Sequence, residues 1–334
     1  MRRRNLWLLG AGLAGAAAIA AALHFRPRED SPGFAPGELL FPSLAERLPA
    51  VAEVSIRRHE GGVLIRRTAE GWVLPERDGF PIREARLREL LTGLTELRVI
   101  EPRARDPEGW ARLGVDDPAT PGSTAALLTL SDAAGRPMLE LLVGRRRVRT
   151  LASVPESVYV RRPQEAQSWL AEGRLIVEAD AASWMDRDIV DLPPERLLSV
   201  EIRRRDAPAP LSLARPAPGA PLALSGIDHP PELDAGALEE VLRGFERLTL
   251  LDAVPAERMP GELQGEAQFR FDGGLTVRVE LSRLEQFVWI RLTAEGGGSE
   301  GERLAARWRP WAYQVGNWKE RAFLPSLADL TGAR

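Results

Sequence analysis

Residues 6–25, "LWLLGAGLAGAAAIAAALHF", form an uncharged apolar run of about 20 residues, the length that carries a helix across roughly 30 Å of hydrocarbon. Arg2, Arg3 and Arg4 stand immediately before it, and a basic cluster on that flank holds the N-terminus in the cytoplasm while the rest of the chain crosses. A competing reading starts from Gly10, Gly12 and Gly15, which spell the G-x-G-x-x-G of a dinucleotide-binding turn. That turn needs a second strand ending in an acid that holds ribose. After Leu23 comes "HFRPREDSPGFAPGE", whose prolines and glycines put Glu29 and Asp30 in a turn-rich linker instead. The membrane reading therefore prevails, with Gly12 and Ala16 on a smooth helix face suited to close packing in lipid, and no nucleotide cofactor is expected. Small residues in "AIAAA" leave signal-peptidase cleavage open, but the length of the segment favours a retained anchor.

The remaining chain is long enough for one large or two ordinary domains. Its 45 basic and 48 acidic residues leave a net charge of -3, which gives no overall attraction to nucleic acid. With no cysteine, disulfides, thiolate metal sites and cysteine nucleophiles are excluded.

Two stretches agree in order and pattern. The first runs from "LFPSLAERLPAVAEVSIRR" through "GVLIRRTAEGWVLPE" to "ARLRELLTGLTELRVIEP". The second runs from "DLPPERLLSVEIRR" through "LSLARPAPGAPLALSG" to "GALEEVLRGFERLTLLDA". Leu87, Leu90, Leu91, Leu94 and Leu97 match Leu238, Val241, Leu242, Phe245 and Leu248, and Gly93 matches Gly244. That spacing predicts one amphipathic helix in each stretch. Val54 and Ile56, then Val63 and Ile65, alternate with polar residues about Gly61-Gly62 and predict a hairpin; Val200 and Ile202 begin its counterpart. Turn-separated alternating runs follow both helices. Such an order predicts an α+β fold of mostly antiparallel sheets plus amphipathic helices, not a doubly wound parallel sheet. The expected organisation is a cytoplasmic tip and transmembrane anchor (1–25), a linker (26–37), and two tandem α+β repeat units (38–190 and 191–334).

No chemistry-bearing constellation emerges. His24, His59 and His229 have no metal-ligand spacing, and nothing reads G-x-S-x-G, S-x-x-K or a phosphate-binding G-x-x-x-x-G-K-[ST]. Asp116-Asp117 precedes Pro118 in a predicted turn, and Glu239-Glu240 falls on the wet face of a predicted helix, so neither pair is read as a general acid and base. No catalytic, cofactor-binding or metal-binding residue is expected.

Tryptophan supplies the one distinctive pattern. Trp308, Trp311, Val315 and Trp318 recur at i, i+3, i+7 and i+10, and with Pro310 opening a helical turn they would share one face. Such a face either docks onto a partner subunit or glycan or packs the last helix onto the second sheet; stripes of this kind are more often core.

The entry "LFPSLAERLPAVAEVSIRR", the "GWVL" strand followed by a helix, "DPEGWARLGVDDP", "SWMDRDIVDLPPERLLSVEI" and the late "WAYQVGNWKE" together resemble a bacterial family catalogued as a domain of unknown function. Members are membrane-anchored and encoded beside gliding-motility-type ABC transporter permeases and their auxiliary extracytoplasmic subunit. The resemblance covers roughly residues 36 to 325 and implies a non-catalytic accessory or scaffold component of the inner membrane. Its bulk would be periplasmic, residues 6–25 would lie in lipid, and the permease and auxiliary subunit would be its partners. The early strands of the second stretch, "DAPAPLSLARPAPGAPLAL", depart from the pattern in their prolines, which predicts a shorter sheet or an unpaired edge there. The alternative expectation is an envelope module that binds polysaccharide or peptidoglycan without any transporter.

Overall fold

The structure is a computed structural model that describes residues 34–147 and 156–332. The expected anchor at residues 6–25 lies outside the described residues, as does most of the linker. Among the described residues no helix is long and apolar enough to cross a membrane. Two compact units are present: one over residues 34–49, 90–128, 139–147 and 156–177, the other over 50–89, 129–138 and 178–332.

Up to residue 172 the elements run α1 (Leu44–Arg47), β1 (Glu53–Arg58), β2 (Gly61–Thr68), β3 (Gly71–Leu74), β4 (Phe80–Pro81), α2 (Glu84–Glu96), β5 (Arg98–Pro102), α3 (Pro107–Leu113), β6 (Ala126–Ser131), β7 (Pro137–Arg147), β8 (Ser157–Arg161) and β9 (Ser168–Glu172). Their strands are ordered β4-β3-β2-β1-β6-β7-β8-β9-β5. Then come β10 (Asp188–Val190), β11 (Leu197–Arg204), β12 (Leu211–Ala214), β13 (Ala223–Leu224), α4 (Ala235–Leu242), β14 (Leu248–Thr249), β15 (Asp252–Pro255), β16 (Glu262–Phe271), β17 (Thr276–Leu284), β18 (Phe287–Glu295), α5 (Gly298–Trp308), β19 (Trp311–Val315), α6 (Lys319–Phe323) and α7 (Leu327–Thr331). An eight-stranded sheet follows the order β13-β12-β11-β16-β17-β18-β19-β15, and β10 pairs with β14. The fold is mixed α+β with mostly antiparallel sheets.

Local rules account for most of these elements. Val54 pairs with Ile65 and Ile56 with Val63 in the first hairpin, and all four are buried while their neighbours are half-buried or exposed. In α2, Leu87, Leu90 and Leu94 are buried, and Gly93 lets Arg174 approach: a Cβ there would sit 2.6 Å from the Arg174 carbonyl oxygen. Asp106 caps α3 by accepting from Gly109 N at 2.8 Å, and Gly114 closes that helix at φ 69°, a left-handed conformation glycine adopts without penalty.

The second helix is shorter than its apolar spacing predicts. It ends at Leu242, and Phe245 and Leu248, expected on its stripe, lie beyond it. Lys319, the single lysine, supplies the reason: its ammonium donates to the Gly244 carbonyl at 2.6 Å and to the Arg243 carbonyl at 3.4 Å, satisfying carbonyls at the helix end. Burial lowers the pKa of that ammonium, with the Glu246 charge opposing the shift. Phe245, released from the stripe, centres an aromatic cluster with Phe269, Phe271 and Phe323 at centroid separations of 4.9, 5.6 and 5.0 Å. The proline-bearing stretch forms the four-residue β12 and the two-residue β13 at the sheet edge, as proline's missing N–H requires.

Candidate functional site

The alternation of the eight-stranded sheet separates two faces. Phe269, Val277, Val279, Leu281, Val288, Ile290, Leu292, Tyr313 and Val315 fall on one face and are buried; α5 packs on β18 and α6 on β17. The opposite face carries a different row. Leu263 pairs across from Ser282, and Leu284 pairs across from Phe287, so Leu263, Leu284 and Phe287 lie on adjacent positions of that face. They are 49%, 46% and 39% exposed. Next to them Trp289 is buried, and its indole N–H finds no partner among the described residues.

The turn that presents this trio is itself constrained. Only Glu285 and Gln286 separate the Leu284–Phe287 pair, and Glu285 sits at φ 54°, in the left-handed region that two-residue hairpins fill with Gly or Asn. Arg283 Nε donates to the Glu285 carbonyl at 3.0 Å and holds that conformation.

The four residues expected to share one helical face do not do so. Trp308 is the last residue of α5 and is fully buried, its indole N–H aimed at the Ile189 carbonyl at 3.4 Å. Pro310 then breaks the ladder, its carbonyl accepting from Ala256 N at 2.8 Å, and Trp311 opens β19 between β15 and β18. Trp311 is half-buried and meets Phe80 edge-on at 4.8 Å, while Val315 is buried opposite Val288. The helical spacing is thus coincidental, produced by a helix, a reversal and a strand. Trp318 alone is open, at 69% exposed.

Trp318 stands at a built position. Its indole lies over Gly316: a Cβ on that glycine would overlap the ring atoms Cη2 and Cζ3. The ring borders a cleft of about 440 Å³ lined by Arg204, Glu240, Arg283, Asn317, Glu320, Arg321, Leu324 and Asp329. Arg204 is committed to Asp206, at 2.8 Å through both Nε and one terminal nitrogen, and to the Leu324 carbonyl at 2.6 Å. Arg283 reaches Glu320 at 3.3 Å. Asp329 forms a capping box with Ser326, accepting from Ser326 N at 2.9 Å while Ser326 Oγ accepts from Asp329 N at 3.1 Å. Burial pushes the Asp329 carboxyl up, but the Ser326 hydrogen bonds and the Arg321 and Arg204 charges outweigh it and leave the pKa below its ordinary value. Among the described residues, no hydrogen bond or ion pair engages the side chains of Glu240, Asn317 or Arg321.

The other polar features are structural. Arg196 forks onto Glu300 at 2.9 and 3.0 Å and reaches Asp272 at 2.7 Å, tying the start of β11 to the first turn of α5. These bonds raise the Arg196 pKa and hold the Glu300 carboxyl below its ordinary value, the Arg196 hydrogen bond being the largest cause for Glu300. Arg161 is buried under the Trp110 ring at 4.0 Å and donates to the Val115, Pro163 and Glu165 carbonyls. Asp116, expected in a wet turn, is 9% exposed and its Oδ1 has no partner among the described residues, whereas Asp117 makes the expected turn by accepting from Ala119 N at 2.9 Å. Glu239 pairs with Arg243 on the exposed side of α4, as its position predicts. No group of three or more His, Asp or Glu residues among the described residues is placed to hold a metal ion.

Sequence reasoning missed the Leu263, Leu284 and Phe287 row, because alternation identifies two faces without saying which one helices cover. It also missed Arg196, whose two acidic partners lie far along the chain. A family model described as a domain of unknown function (DUF4340) matches residues 72–264. No curated protein and no solved structure matches the chain.

Proposed function

The chain belongs to the DUF4340 family, a domain of unknown function whose match spans more than half of the 334 residues, and on that premise we propose that it is a non-catalytic accessory or scaffold component of a gliding-type ABC transporter system. Residues 6–25 anchor it in the bacterial inner membrane, with a cytoplasmic N-terminus and a periplasmic bulk. The permease or its auxiliary extracytoplasmic subunit docks on it. The membrane and transporter parts of this reading rest on the apolar run and on the resemblance described above.

The observation that carries docking is the row Leu263, Leu284 and Phe287 on the sheet face opposite the helices. Three large apolar side chains on adjacent positions, with a buried tryptophan beside them, have the make-up of an interface centre and no structural reason to face water. The repeat read from the two matching sequence stretches supports the scaffold part. In one strand order β1 separates β2-β3-β4, the strands that follow it in the chain, from β6-β7-β8-β9-β5; in the other β11 separates β12-β13 from β16-β17-β18-β19-β15. On this reading repeat units 38–190 and 191–334 are two copies of one unit.

The test is affinity capture of the tagged full-length chain from membranes in mild detergent. Wild type is expected to retain a permease or auxiliary subunit, and Leu284→Ser with Phe287→Ser to lose it. Recovery of neither partner by the wild type refutes the reading.

A further inference from the structure

The cleft beside Trp318 is bordered by Arg283, which falls on the opposite face of β17 from its neighbour Leu284 and hence from the Leu263, Leu284 and Phe287 row, and its chemistry differs from that of a protein-docking face. Three arginines and three carboxylates line it, Arg204, Arg283 and Arg321 against Glu240, Glu320 and Asp329, so its walls carry no net charge. Such a lining selects neither an anion nor a cation. It offers donors and acceptors side by side, which matches groups that do both, and hydroxyls are the simplest of these. The uncommitted ones, Asn317, Glu240 and Arg321, present an amide, an acceptor and a fork of donors.

Trp318 completes the arrangement. One side of its indole is pressed on Gly316, and the residue as a whole stays 69% exposed, so a flat apolar surface is held at the cleft without a partner. The missing side chain of Gly316 leaves room for the ring to rest against the backbone beside the cleft before any ligand arrives, which lowers the entropy cost of binding. The π-face is electron-rich and attracts polarised C–H groups. A ligand with one apolar C–H face and a rim of hydroxyls fits both features, and the cleft's volume of about 440 Å³ falls within the roughly 300–1,000 Å³ of small-ligand sites.

We propose that the Trp318 cleft is a binding site for a neutral pyranose unit of a glycan, the sugar ring stacking on the indole while Asn317, Glu240 and Arg321 hydrogen-bond its hydroxyls. This inference does not depend on transporter docking, and the Leu284→Ser, Phe287→Ser pair leaves sugar binding unchanged.

The experiment is isothermal titration calorimetry of the detergent-solubilised full-length chain with two neutral tetrasaccharides, N-acetylated chitotetraose and maltotetraose, and with tetragalacturonate as an anionic comparison. Saturable binding of at least one neutral sugar is expected, weakened about tenfold or more by Trp318→Ala and retained in large part by Trp318→Phe. Gly316→Ala, which drives a methyl into the ring, and Arg321→Ala are expected to weaken it as well, with circular dichroism unchanged for Trp318→Ala and Arg321→Ala because both side chains are exposed. No binding of either neutral tetrasaccharide, unaltered binding by both Trp318→Ala and Arg321→Ala, or tighter binding of tetragalacturonate overturns the proposal.

Discussion

Replacing Trp308 and Trp318 by alanine separates two tryptophans that share a spacing in sequence and nothing in structure. Trp308 is fully buried at the end of α5, and its hydrogen bond to Ile189 is long at 3.4 Å, so truncation forfeits packing more than polar contact. Emptying a buried tryptophan site costs about 3–5 kcal/mol. With a urea slope of about 3 kcal/mol/M, the unfolding midpoint should fall by about 1 to 1.7 M. Trp318 is mostly exposed and its removal should change stability by no more than about 0.5 kcal/mol. Urea titration of the full-length variants, followed by far-ultraviolet circular dichroism, measures both. Midpoints for Trp308→Ala and wild type within about 0.2 M of each other, or a large fall for Trp318→Ala, would refute the separation of core from surface on which the assignment of these residues rests.

Further outcomes follow from single contacts. Gly93→Ala gains up to about 1 kcal/mol of helix propensity but sets a Cβ 2.6 Å from the Arg174 carbonyl oxygen; overpacking of about 1–3 kcal/mol should leave the variant less stable in the same titration. Glu285→Gly relieves a left-handed non-glycine residue and should stabilise by up to about 1 kcal/mol, read as a higher melting temperature. The Glu300 carboxyl is held below its ordinary 4.5 in the folded chain, so its contribution is complete above that unfolded value and fades as pH falls through the lower folded one. Arg196→Met should remove this acid-side loss, flattening stability against pH below about 4.5 relative to wild type; an unchanged acid limb would show that Glu300 is not held by Arg196.

Where local patterning and tertiary packing agree, the fold was legible in advance. The Val54–Ile65 hairpin and α2 follow from period-two and period-3.6 spacing because each buries one face only. The second helix was overread, because its stripe continues past a point where Lys319, seventy-odd residues later, takes the helix-end carbonyls. No local signal marks that contact. The Trp308–Trp318 spacing misled for a related reason: i, i+3, i+7 describes a helix only if the backbone continues, and Pro310 sends Trp311 into a strand required between β15 and β18. The candidate cleft was legible only as Trp318. Gly316 as its rest, and Arg204, Glu240 and Arg283 as its walls, depend on which strands and helices end together, and a single sequence does not encode that in any local pattern.

Docking at the β17–β18 turn of the eight-stranded sheet can be read in the living cell by placing a photoreactive amino acid at position 287, irradiating, and identifying what is attached to the full-length chain. The account predicts a cross-link to a transporter permease or its extracytoplasmic auxiliary subunit, present at 287 and absent when the same probe replaces exposed Arg136 in the β6–β7 turn. A probe at 287 that captures neither of those proteins would contradict it.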